Sequence, residues 1–103
     1  MKKKDEGGKK MTIEYIRDAV ISLVNEYSIK SVVLFGSRAS GKNRDDSDVD
    51  LIVEFDKPVS LLTLSSLKNR LQDNLGLEVD IIHGPIRGDD FIEVGETVSL
   101  YAA

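Results

Sequence analysis

The sequence predicts an α/β domain, a small three-stranded mixed sheet flanked by helices. Three observations lead there. The runs SVVLF (31–35), VDLIVEF (49–55) and LEVDIIH (77–83) have the length and β-branched composition of buried strands. Around them, apolar residues recur at helical spacing. The link between the first two strands is poor in regular structure, so those strands are expected to pair antiparallel and make the sheet mixed.

The elements follow in order. Thr12 is placed to cap a first helix, with Glu14 in its first turn to complement the helix dipole. Ile13, Ile16, Val20, Leu23, Val24 and Tyr27 form one apolar stripe that carries this helix to about Ser28. Asp56-Lys57-Pro58 ends the second strand. Leu61, Leu64, Leu67, Leu71 and Leu75 mark another amphipathic helix, stopped by Gly76. After the third strand, GPIRG reads as a turn. Asp89 is placed to cap a last helix through Phe91, Ile92, Val98 and Tyr101, which Gly95 weakens.

Composition bounds the function. A chain of 103 residues holds one core, and 31% charged against 41% hydrophobic residues is ordinary for a globular domain. No cysteine is present, which removes disulfides and thiolate metal sites. The apolar runs are strand-sized, so no membrane span is expected, and a cytoplasmic location is the default. Residues 1–10 carry five lysines against Asp5 and Glu6 and no apolar residue after Met1. This leader is expected to be disordered and is set apart from a domain spanning 11–103. Without it the net charge falls from -4 to -7. Such an acidic body argues against an extensive nucleic-acid surface.

The stretch 36–50, GSRASGKNRDDSDVD, draws the chemistry together. Its first half imitates a phosphate-binding P-loop, but Asn43 stands where that loop needs a hydroxyl for magnesium. NRDDSD is turn-forming where a helix should start, and three strands are too few for that fold. Asp46, Asp48 and Asp50 imitate a calcium loop, yet Leu51 and Lys57 occupy the positions of its glycine and glutamate. Both readings fail.

What remains is a set of oxygen ligands. Asp48 and Asp50 flank Val49 at the start of a strand, so their side chains share one face about 6.7 Å apart. Asp80 interrupts an apolar strand, which is costly unless the charge is paired or bound to a metal. A cation would relieve the repulsion among three such carboxylates, and magnesium suits oxygen donors. The bland alternative makes Asp48 a turn residue and Asp50 and Asp80 solvent-facing. Gly36 permits close backbone approach, and the Ser37 hydroxyl and neighbouring amides suit phosphate oxygens. Arg38 has two readings, a charge at a triphosphate or a solvated loop residue.

Glycine-serine, ten residues, then DVD, with LFGS before and VDII after, resembles the minimal nucleotidyltransferases of the DNA polymerase β superfamily. The resemblance runs from Met11 to the terminal SLY. It implies a short mixed sheet with flanking helices, as read above. It also implies that Gly36 and Ser37, with Arg38 beside them, hold the phosphates of ATP. Asp48, Asp50 and Asp80 would bind two magnesium ions, with Asp80 helping to deprotonate the attacking hydroxyl. Small members of that family are antitoxin partners of HEPN-domain toxins, and some transfer AMP onto the toxin. The implied partner is therefore a HEPN-type toxin in a hetero-oligomer.

Two functions are carried forward. The first is an ATP- and magnesium-dependent nucleotidyltransferase acting on a hydroxyl of a partner toxin. The second is a non-catalytic antitoxin that neutralises its partner by contact. The intact set Gly36, Ser37, Asp48, Asp50 and Asp80 favours the first.

Overall fold

A computed structural model describes residues 11–84 and 96–103. Seven elements follow one another: α1 (Ile13–Ile21), β1 (Ile29–Phe35), α2 (Ser37–Ser40), β2 (Val49–Phe55), α3 (Leu61–Leu75), β3 (Val79–His83) and β4 (Thr97–Ala102). The sheet order is β3-β2-β1-β4. β1 pairs antiparallel with both β2 and β4, while β2 and β3 run parallel, so the sheet is mixed as expected.

Local chemistry sets the helix ends. The Thr12 hydroxyl accepts from the Tyr15 amide and starts α1. Ser60 does the same for α3 through the Thr63 amide. Gly76, in the left-handed region at φ 70°, ends α3 by donating to the Gln72 carbonyl. Parallel pairing of β2 and β3 needs this crossover helix, and the Gln72 side-chain carbonyl then accepts from the Val79 amide at 3.0 Å, seating β3.

Alternation divides the sheet faces. Leu34, Val32, Leu51, Val53, Val49 and Val79 point to one side and pack against Ile16 and Val20 of α1 and Leu67, Leu71 and Leu75 of α3. The opposite face carries Asp50, Ile52 and Glu54 on β2 and Asp80 and Ile82 on β3. One side makes the core, and the other is left for chemistry.

The expected elements are corrected in five places among the described residues. The sheet has four strands, not three. Thr97–Ala102 is the fourth, where a continuing helix was expected through Val98 and Tyr101. β-branched and aromatic residues suit a sheet edge, and β1 had a free ladder side for them to pair with. A register shift at Val32/Val33 lets Leu100 turn into the core. The rest of that expected helix, Asp89, Phe91 and Ile92, lies outside the described residues. α1 ends at Ile21; Leu23, Val24 and Tyr27 are buried from a run of turns that follows. β1 starts two residues earlier than expected, at Ile29, and β3 two later, at Val79. α2 is an unexpected single turn.

Candidate active site

Three backbone events converge at one end of the sheet. β1 ends at Phe35, whose cross-strand partner is Asp50. The chain then turns through Gly36 at φ 80°, ψ -157°, a conformation that strains any residue with a side chain. Asp50 itself faces Asp80 in the parallel register between β2 and β3. Adjacent strands lie about 4.8 Å apart, so these two carboxylates are neighbours on the open face.

Gly36 and Asp50 are locked together. A Cβ built on Gly36 would overlap Oδ2 of Asp50 and lie 3.3 Å from its Cγ. The carboxylate therefore occupies the space that a side chain at position 36 would need. Glycine is required here twice, by backbone conformation and by the acid packed against it.

The electrostatics agree with crowding. Burial raises the pKa of Asp50 above the ordinary aspartate value, and the charges of Asp80 and then Asp48 raise it further. A hydrogen bond with Asp80 adds to the same effect. Asp48 and Asp80 are exposed and Asp50 is half-buried. The three predicted carboxylates thus feel one another, with Asp50 at the centre. Among the described residues, no three acidic or imidazole groups are gathered into a ready-made metal cage.

The donors nevertheless fit magnesium. The ion is generally held by one or two carboxylates together with substrate phosphates, not by a complete protein cage. An oxygen-only pair, Asp50 and Asp80, with Asp48 at the rim, presents that kind of incomplete site. Like-charge crowding around a half-buried acid is the strain that a bound cation relieves.

Ser37 is half-buried and opens α2 immediately after Gly36. Its carbonyl is engaged from behind by the Lys42 amide at 3.0 Å and by the Gly41 amide. Lys42 is exposed. The helical turn precedes Lys42, whereas a P-loop begins its helix at that lysine. The structure removes that decoy on geometry.

Arg38 departs from the solvated-loop reading. It is 4% exposed. Its Nε donates to the Ser47 carbonyl, and its Nη2 donates to the carbonyls of Ser47, Asp45 and Arg44. No sequence signal announced that burial, because a cation in a polar loop reads as exposed. Arg17 was also missed, because its partners are backbone carbonyls of a strand far along the chain: from α1 it donates through Nε to the Leu100 carbonyl at 3.2 Å and through Nη2 to that of Ser99 at 3.4 Å, securing β4.

A glycine-serine turn packed on a strand-borne aspartate pair, in a small mixed sheet, defines a nucleotidyltransferase. The chain matches the family model for polymerase β-type nucleotidyltransferases over residues 18–93, and it belongs to that family. A relative from Methanocaldococcus jannaschii, named as a protein adenylyltransferase, is 39% identical over 69 residues, covering 67% of this chain and 70% of the relative. A solved minimal nucleotidyltransferase superposes with a TM-score of 0.69 at 35% identity, covering 88% of this chain and 98% of that one. The fold also matches a chain from the complex of a tri-AMPylated Shewanella oneidensis HEPN toxin with its MNT antitoxin. That match has a TM-score of 0.66 at 16% identity and covers 89% of this chain and 74% of the other.

Proposed function

We propose that this nucleotidyltransferase moves AMP from ATP onto a hydroxyl of a partner protein, a HEPN-type toxin, in a magnesium-dependent reaction. The single observation that carries the reading is the contact of Gly36 with Asp50, which joins the phosphate-binding turn to the carboxylate pair. The name of the M. jannaschii relative and the AMPylated toxin in the matched complex support the group transferred and the partner.

In this reading Gly36 lets the triphosphate approach the backbone, and the Ser37 hydroxyl and amide donate to its oxygens and orient them. Asp48, Asp50 and Asp80 would hold two magnesium ions, which when bound would offset the charge at the reacting phosphate. The acceptor oxygen bonds to the α-phosphorus as the bond to the β-phosphate oxygen breaks. Pyrophosphate leaves with that electron pair, and Asp80, exposed at the sheet edge, takes the acceptor proton.

The second reading is a contact-only antitoxin. In it the same fold neutralises its partner by contact, without chemistry at the carboxylates. Labelled ATP separates the two. With the co-purified partner present, label from the α-phosphate is expected on that partner and label from the γ-phosphate is not. Transfer should require magnesium and vanish in Asp48→Ala. A partner that binds but takes up no label would overturn catalysis and leave neutralisation by contact.

A further inference from the structure

We propose that Arg38 is a positioning residue. Its guanidinium fixes the turn before Asp48 against the Gly36-Ser37 turn, and it does not itself meet the substrate. The inference rests on the nucleotidyltransferase reading of the same site and gives Arg38 a task other than the phosphate contact that the family resemblance implies.

The covalent connections define the problem. Ser37 and Asp48 must face the same substrate, yet ten residues separate them, and none of the ten lies in a strand. The one apolar residue among them is Ala39, half-buried against the core near the Ser37 end, so the stretch that leads to Asp48 is held by polar contacts. Arg38 directly follows Ser37, and Ser47 directly precedes Asp48. One side chain joins these two neighbours: Nε and Nη2 both donate to the Ser47 carbonyl, at 3.1 and 2.8 Å. Nη2 also donates to the Asp45 carbonyl at 3.0 Å and to the Arg44 carbonyl at 3.4 Å.

The turn is closed from its own side as well. The Arg44 amide donates to the Ser47 hydroxyl at 2.8 Å, and the Ser47 amide donates to the Arg44 carbonyl at 3.1 Å. The Arg44 carbonyl also accepts from the Ser47 amide and from Asn43 Nδ2, whereas the Asp45 and Ser47 carbonyls converge on the guanidinium, which supplies their donors. Arginine offers a planar fork of donors; lysine offers a compact point charge that cannot reach all three in this geometry. Among the described residues, no carboxylate forms an ion pair with Arg38. The guanidinium is thus committed to backbone, and its 4% exposure leaves little surface for a phosphate.

Supporting interactions of this type typically change affinity or activity about 10–100-fold when removed. Arg38→Met fills the volume without donors, and Arg38→Lys keeps the charge without the fork. Backbone amide exchange over residues 43–48 is expected to rise about tenfold or more in both variants, with melting still cooperative. Label transfer from ATP should fall about 10–100-fold in kcat, while KM for ATP stays within about twofold, and lysine should not rescue it. Unchanged exchange with a raised KM for ATP would make Arg38 a phosphate ligand and overturn the proposal. If Arg38→Met does not fold, Arg38→Lys decides; failure of both to fold would make the residue a support of the fold alone. If the wild-type protein transfers no label, the catalytic reading falls, and the exchange measurement still decides whether Arg38 fixes the turn.

Discussion

Gly36 carries two demands that one substitution would test together. Its φ of 80° with ψ of -157° is a conformation that costs a residue with a side chain about 1–3 kcal/mol. A methyl group there would also displace the Asp50 carboxylate. Gly36→Ala is therefore expected to lower stability by about 1–3 kcal/mol in urea denaturation and to abolish nucleotidyl transfer. Full activity in that variant would separate the turn from the carboxylates and remove the central observation. Asp50 gives a prediction of the opposite sign. Burial and the nearby Asp80 and Asp48 hold its pKa above the usual 3.8, so its ionised form is disfavoured in the folded state. Between 3.8 and that raised value, the folded protein binds more protons than the unfolded one, and stability falls as pH rises. Asp50→Asn should thus melt at or above the wild-type temperature at neutral pH without metal. Its advantage should shrink as pH falls through the raised value towards 3.8. The variant should also lose any stabilisation that magnesium with ATP gives the parent. A strongly destabilised Asp50→Asn at neutral pH would make the carboxylate a structural group.

Among the elements, α3 and β4 show what sequence pattern reads well and badly. Leucines at helical spacing, a serine cap and a terminal glycine state α3 in local terms, and its observed span, Leu61–Leu75, follows them. The segment TVSLYA has no comparable local statement. Val98 and Tyr101 are three apart, which suits a helix, while its β-branched and aromatic content suits a strand. The free side of β1 decides between them by offering ladder hydrogen bonds. Leu100 is then 4% exposed, packed in the common core. Leu100→Ala is expected to cost about 2–5 kcal/mol, measured as a shift in denaturation midpoint with unchanged slope. A negligible shift would mean that β4 does not seal the core. The error over α1 has a related cause: Leu23, Val24 and Tyr27 continue the apolar stripe, but turns achieve the same burial without helical hydrogen bonding.

The layers explain why the site lies where it does. Helices α1 and α3 cover one sheet face, and the carboxylates emerge on the other near the ends of β2 and β3. Among the described residues no helix is long and apolar enough to cross a membrane. The sequence alone determined the α/β class, three of the four strands and both long helices, because period-2 and period-3.6 burial are local properties of the chain. It also singled out Gly36, Ser37, Asp48, Asp50 and Asp80 as the candidate site, because their order and residue types suggest the chemistry. Only the tertiary structure decided that Asp80 stands beside Asp50, since parallel register between residues 30 positions apart is fixed by α3 and not by local pattern. Only it put the Gly36 backbone against the Asp50 side chain and turned Arg38 inward on the carbonyls of residues 44–47. Those contacts join segments distant along the chain, and no spacing rule encodes them; they exist because the sheet brings the end of β1 to the start of β2.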